Sequence, residues 1–169
     1  MAQRSLISSF VSFDGEGVRR GYLGVPHSVQ ESAYGHIAIP IAVAKRGDGP
    51  TLLLTGGVHG DEYEGPLVLY RLMRALAELD PSGRGIILPS VNHPAFLAAS
   101  RVSPIDQIDL NRCFPGSRDG TATQAIAHYV AAVLLPLISI AALSWSRSRV
   151  AAPPRSVRAG AQMSSGGPN

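Results

Sequence analysis

The chain is 169 residues long, 45% hydrophobic and 16% charged, which excludes a chain disordered over most of its length and allows one domain with a buried core. Its net charge of +3 is uneven: residues 1–119 hold 11 of the 15 Lys and Arg and all 12 Asp and Glu, while residues 120–169 hold four arginines and no acid. The basic bias belongs to the tail, so no nucleic-acid partner is expected.

The single cysteine, Cys113, excludes an intramolecular disulfide and suits a reducing, cytoplasmic setting. Residues 1–13 carry no apolar stretch resembling a secretory signal. Ser5–Phe13 is apolar and β-branched enough for a first strand, and Arg19–Val25 for a second that ends at Pro26. Gly35–Ala44 alternates through Ile37, Ile39, Ile41 and Val43. Pro40 within it predicts an edge position or a bulge. After the turn cluster 46–50, Thr51–Thr55 is a continuous apolar run, the pattern of a strand buried on both faces.

A helix is expected to start within residues 62–66 and to run to about Leu79. Leu69, Leu72, Met73, Leu76 and Leu79 recur at helical spacing, Pro66 suits a first turn, and Asp80-Pro81 stops it. Gly85–Val91 reads as another buried strand, and the order strand, helix, strand predicts an α/β fold with parallel pairing. A second helix is expected from Thr123 towards Leu135. Ala125–Trp145 lacks charge, but His128 and Pro136 interrupt it and it falls short of the ~20 apolar residues of a membrane span. No membrane partner is expected. Ser144–Asn169 is rich in Ser, Arg, Ala, Pro and Gly and is expected to be disordered.

Residues 56–65, Gly-Gly-Val-His-Gly-Asp-Glu-Tyr-Glu-Gly, carry the most chemistry. They follow a strand and open a helix, where α/β sheets build their sites. His59 and Glu62 lie three apart on a glycine-flanked loop and suit a zinc ion, with Gly57 and Gly60 allowing a tight turn. An isolated pair of this kind is more often a surface histidine and a helix-start acid. Arg101, Asn111 and Arg112 form a second group, suited to a carboxylate-bearing substrate because arginine pairs bidentately with carboxylates. Taken alone, they read rather as solvated surface arginines and an Asn-Arg turn.

Together these segments carry a resemblance. The His-Gly-Asp-Glu loop, the string Asp109-Leu-Asn-Arg112 continuing into Phe114-Pro-Gly116, and the intervening Leu88–Ala95 resemble the succinylglutamate desuccinylase/aspartoacylase family, relatives of the zinc carboxypeptidases. Segments 21–28 and 32–41 are most similar to its ectoine-degradation branch, the N-α-acetyl-L-2,4-diaminobutyrate deacetylases. The resemblance implies a mixed, largely parallel α/β sheet with flanking helices, and a zinc-dependent amidohydrolase in which water activated by the ion attacks an N-acyl carbonyl. It implies His59 and Glu62 as zinc ligands, Arg101 as the residue that binds substrate and polarises its carbonyl, and Asn111 and Arg112 as binders of the substrate carboxylate. The implied cofactor is one Zn2+ ion, and the implied partner a small N-acyl amino acid. Which acyl group and amine, and what oligomeric state, stay open.

The family's third zinc ligand is a histidine in an Asp-Leu-His segment soon after the second helix, and its general base is a later glutamate. Here no histidine follows His128 and no acid follows Asp119. His93 and His128 read as structural histidines rather than substitutes. A one-base shift after Leu137 permits an Asp-Leu-His-Ser-Gly reading of the same codons, so a frameshifted, shortened chain is expected. The organisation expected is a β-rich segment 1–50, a partial catalytic α/β unit 51–137 and a tail 138–169, with an open apolar sheet edge, poor solubility and impaired activity. The competing reading is a non-catalytic fragment or interaction module.

Overall fold

The computed structural model describes residues 5–30, 33, 35–79 and 82–138. Among the described residues, five strands and three α-helices follow in the order β1 Ser8–Ser9, β2 Gly17–Pro26, β3 His36–Arg46, β4 Thr51–Thr55, α1 Glu64–Ala75, β5 Gly83–Leu88, α2 His93–Leu97 and α3 Ala122–Tyr129. They form one mixed sheet in the order β1-β2-β3-β5-β4. Pairing is antiparallel from β1 through β5 and parallel between β5 and β4, the two strands joined by α1. The α/β expectation holds, with parallel pairing confined to that unit among the described residues.

The long β2–β3 ribbon is built by alternation. Leu23, Val25, Ile39, Ile41 and Val43 lie on one face and join Ile86 and Leu88 of β5 beneath α3, where Ile126, Tyr129 and Leu134 complete the core. The opposite face carries Ala42, Ala44 and Ile87, against which α1 lays Leu69, Met73 and Leu76. Pro40 sits opposite Tyr22 in an unbroken register, so no bulge forms there. The pairing with β5 covers only residues 42–46, so at Pro40 that side of β3 is an edge and the missing N–H costs no ladder bond there.

Three expectations are corrected. The first strand shrinks to Ser8–Ser9, because serines take the nearby backbone groups. Ser5 Oγ accepts from Ile7 N at 3.1 Å, while Ser9 Oγ accepts from Val11 N at 3.3 Å and donates to Val11 O at 2.7 Å. Next, α1 ends at Ala75 and the chain turns through a Glu78 N to Ala75 O bond of 2.9 Å. Leu79, expected on the core face, is 49% exposed. Finally, β4 is the outer strand among the described residues, and its Leu52 is 57% exposed, so it is not buried on both faces.

The second helix begins as expected. Thr121 Oγ1 accepts from Gln124 N while Gln124 Oε1 accepts from Thr121 N, a complete capping box. Past Tyr129 it widens into a π turn, Val130–Leu134, and then tightens into a 3-10 turn, Leu135–Leu137. No helix among the described residues is long and apolar enough to cross a membrane. The tail reading lies outside the described residues except for Ile138, as does the end of the uncharged stretch 125–145.

Candidate active site

The loop 56–63 leaves the end of β4 and turns into α1. It is fastened to the segment after β5 by three backbone bonds: Gly56 N to Leu88 O at 3.0 Å, Val91 N to Gly56 O at 2.8 Å and Asn92 N to Gly57 O at 3.0 Å. The fully buried Asn92 adds its side-chain amide to Val58 O at 3.4 Å. The Leu88–Ala95 segment therefore acts as the seat of the His59 loop. Gly57 takes a left-handed conformation, φ +66°, as a sharp turn requires. Gly60 serves differently: its Cα abuts the carbonyl of Ala95 and the amide of Phe96 in α2, leaving no room for a side chain. The segment bearing His93 thus lies against the His59 loop. His93 itself bonds Ser90 Oγ through Nδ1 at 2.9 Å, and burial lowers its pKa.

The structure brings His59 and Glu62 together. His59 is 7% exposed, and its Nδ1 lies 2.9 Å from Glu62 Oε1. Its other nitrogen, Nε2, lies 3.1 Å from Asp109 Oδ1. One imidazole is thus held between two carboxylates from distant parts of the chain. Arg101 stands above both, with Nη1 at 3.9 Å from Glu62 Oε1 and Nε at 3.8 Å from Asp109 Oδ2. Arg112 approaches the same Asp109 oxygen through Nε at 3.7 Å. Asn111 is exposed beside them, its backbone N–H donating to Asp109 Oδ1 at 3.0 Å. Four of the five residues singled out from the sequence therefore meet one carboxylate, and Glu62 joins them through His59 and Arg101.

That carboxylate, Asp109, was not among them. Burial pushes its pKa up, but the Asn111 N–H, the bond to His59 and the nearby charges of His59 and Arg101 outweigh this and hold it below its ordinary value. An ionised Asp109 orients the His59 ring and balances two guanidinium groups. The arginine side chains are 53% and 83% exposed, so they face solvent and are free to take an anionic ligand.

The arm bearing Arg101 and Asp109 is pinned to α3 by Asp106. Its Oδ2 accepts from Thr123 N at 2.8 Å and its Oδ1 from Thr123 Oγ1 at 2.7 Å. Burial raises the Asp106 pKa, but bonds from Thr123, Thr121 and Ile108 outweigh it, so the net shift is downward. A carboxylate with a lowered folded pKa adds stability that is present above its unfolded value, about 4, and lost as pH falls through the folded value. Asp106→Asn is expected to cost about 1 kcal/mol near neutral pH, and the gap from wild type to close below about pH 4. Urea unfolding of both proteins across pH 3–7 checks this.

His59 Nδ1 and Glu62 make two convergent donors. Among the described residues, no group of three His, Cys, Asp or Glu side chains could hold a metal ion. The residues present thus fit part of a zinc centre and do not complete one.

Sheet, seated histidine loop and arginine-bearing arm together define an α/β domain of the zinc-carboxypeptidase-like class. The succinylglutamate desuccinylase/aspartoacylase catalytic-domain profile matches residues 48–141, more than half of the chain, and the chain belongs to that family. It is 50% identical over 136 residues to the N-α-acetyl-L-2,4-diaminobutyric acid deacetylase of Halomonas elongata, covering 80% of this chain and 40% of that protein. The product-bound ectoine utilization protein EutE of Ruegeria pomeroyi superimposes with a TM-score of 0.78 at 51% identity, covering 80% of this chain and 42% of that one. A succinylglutamate desuccinylase from Silicibacter gives a TM-score of 0.78 at 48% identity, over 80% of this chain and 41% of that one. The chain thus spans about two fifths of the length of these relatives.

Proposed function

We propose that the chain carries part of the active site of a zinc-dependent deacylase acting on N-acylated amino acids, and that by itself it completes the reaction poorly. One observation carries this reading: His59 is held through Nε2 by Asp109 while its Nδ1 converges with Glu62. Histidines that ligate metals through one nitrogen commonly donate the other N–H to a carboxylate, which fixes the tautomer and strengthens the donor. His59 and Glu62 are the proposed zinc ligands, and Asp109 positions His59. Arg112 and Asn111 take the substrate carboxylate, and Arg101, beside Glu62, faces the acyl oxygen. The relatives from Halomonas and Ruegeria favour an N-acetyl-diaminobutyrate-like substrate for the whole enzyme.

No third donor and no general base join this arrangement among the described residues, so no hydrolytic step is assigned to the chain. Its own residues bind and orient. The expected result of Asp109→Ala is a 10–100-fold loss in zinc affinity with the fold retained, measured by competition against a chromophoric chelator. Unchanged affinity in Asp109→Ala, together with unchanged affinity in Glu62→Ala, would refute the assignment of His59 and Glu62 as a zinc pair.

A further inference from the structure

The arm that carries Arg101 and Asp109 to the site runs on strained backbone. Among the described residues, only two non-glycine residues take a left-handed conformation, Ala99 at φ +51° and Gln107 at φ +57°. The first stands two positions before Arg101 and the second two positions before Asp109. Such a conformation is costly for any residue with a Cβ and persists only where the surroundings demand it.

Hydrogen bonds show what holds Ala99 there. α2 ends in a two-bond turn, with Ala99 N donating to Phe96 O at 3.3 Å and Ser100 N to Ala95 O at 3.1 Å. This is a common close of a helix, and its left-handed residue is ordinarily glycine. The turn leaves the Ser100 carbonyl free to accept from Gly60 N at 2.9 Å. Gly60 lies in the loop between His59 and Glu62, and its Cα abuts the carbonyl of Ala95 in the same turn. Arg101 follows at once, its guanidinium 3.9 Å from Glu62 and its Nε 3.8 Å from Asp109. One turn thus ties the His59 loop to the arginine above it. Ala99 is itself exposed, so a larger side chain has room there and acts through its backbone preference.

We propose that Ala99 is a positioning residue for this site: its left-handed turn couples the His59–Glu62 loop to Arg101 through the bond between Gly60 and Ser100. The consequence for metal binding rests on the proposed zinc pair, whereas the coupling itself rests on the backbone geometry.

Amide hydrogen exchange and zinc affinity of the full chain test it together. Gly60 N–H reports the coupling, and Val91 N–H, bonded to Gly56 O at 2.8 Å, reports the rest of the loop's seat. Ala99→Gly relieves strain in the closed turn and is expected to slow exchange at Gly60 about fivefold relative to Val91. Ala99→Val, β-branched at a positive φ, is expected to speed it about tenfold relative to Val91 and to weaken zinc binding severalfold. Ala99→Asn is larger than alanine yet tolerates the left-handed conformation, and is expected to keep both at or better than wild type. Gly60 and Val91 rates that move in parallel through the series would make Ala99 an ordinary helix end and overturn the proposal. Zinc binding abolished by His59→Ala but untouched by Ala99→Val would overturn the positioning role and leave the zinc pair standing. Zinc binding that survives His59→Ala refutes the zinc pair instead, and the exchange rates then decide on the coupling.

Discussion

Gly60→Ala is expected to destabilise the protein by about 3 kcal/mol, near the upper end of what overpacking costs. A Cβ at this position would overlap the Ala95 carbonyl and the Phe96 amide. Both are backbone groups of α2, and backbone cannot rotate aside as a flexible side chain does. Gly60 also donates its N–H to Ser100 O at 2.9 Å, so the loop cannot lift away without losing that bond. The displacement would reach His59, one residue back, and open its contact with Asp109. Gly65→Ala is the matched control. Gly65 lies in the first turn of α1, and a Cβ there meets only Gly56 Cα at 3.9 Å. Alanine favours helix by about 1 kcal/mol over glycine, so this variant is expected to be neutral or slightly more stable. Urea midpoints separate the two: a fall of about 2 M for Gly60→Ala and no fall for Gly65→Ala. Equal midpoints would show that the loop does not seat on α2.

The second large effect concerns catalysis. Replacing residues 138–169 with the corresponding segment of the Halomonas deacetylase is expected to raise deacylation of N-acetyl-diaminobutyrate on the order of a thousandfold or more. On the proposed reading that segment is expected to supply a third zinc donor and a general base; among the described residues no group of three His, Cys, Asp or Glu side chains could hold a metal ion. In the joined protein, Arg112→Ala is expected to raise KM more than it lowers kcat, because its exposed guanidinium is assigned to the substrate carboxylate. Release of acetate by the original and joined chains, assayed side by side with zinc present, measures the gain. Equal rates would mean that the chain already holds all it needs.

Much of this architecture is legible in the residues. Alternation through Ile37, Ile39, Ile41 and Val43 gives β3 its face, and the spacing of Leu69, Met73 and Leu76 gives α1 its own. What escaped depends on distant partners. The apolar run of β4 is the same string whether a strand lies beyond it or not, so its outer place among the described residues could not be read locally. Serines at 5, 9 and 12 shorten β1 through bonds to residues two positions on, a competition that apolar content does not register.

The site divides in the same way. His59 and Glu62 stand out through the family resemblance of the loop that carries them, since their spacing alone reads more readily as a surface histidine and a helix-start acid. Asp109 lies fifty positions from the histidine it holds, and no periodicity links the two. The signal available was chemical: a metal-ligating imidazole calls for an acidic partner, and Asp109 opens the same string that supplies Asn111 and Arg112. Asn92 likewise appears in sequence as one polar residue before a His-Pro pair. Its full burial and its bond to Val58 O make it part of the loop's seat.

Zinc affinity tests the two-donor account most directly. The full 169-residue chain and the same chain carrying the Halomonas segment would each be titrated with zinc against a chromophoric chelator. The account predicts binding by the original chain on the order of a thousandfold weaker than by the joined chain, with His59→Ala abolishing what remains. Equal affinity in the two chains, or original-chain binding that survives His59→Ala, would contradict it.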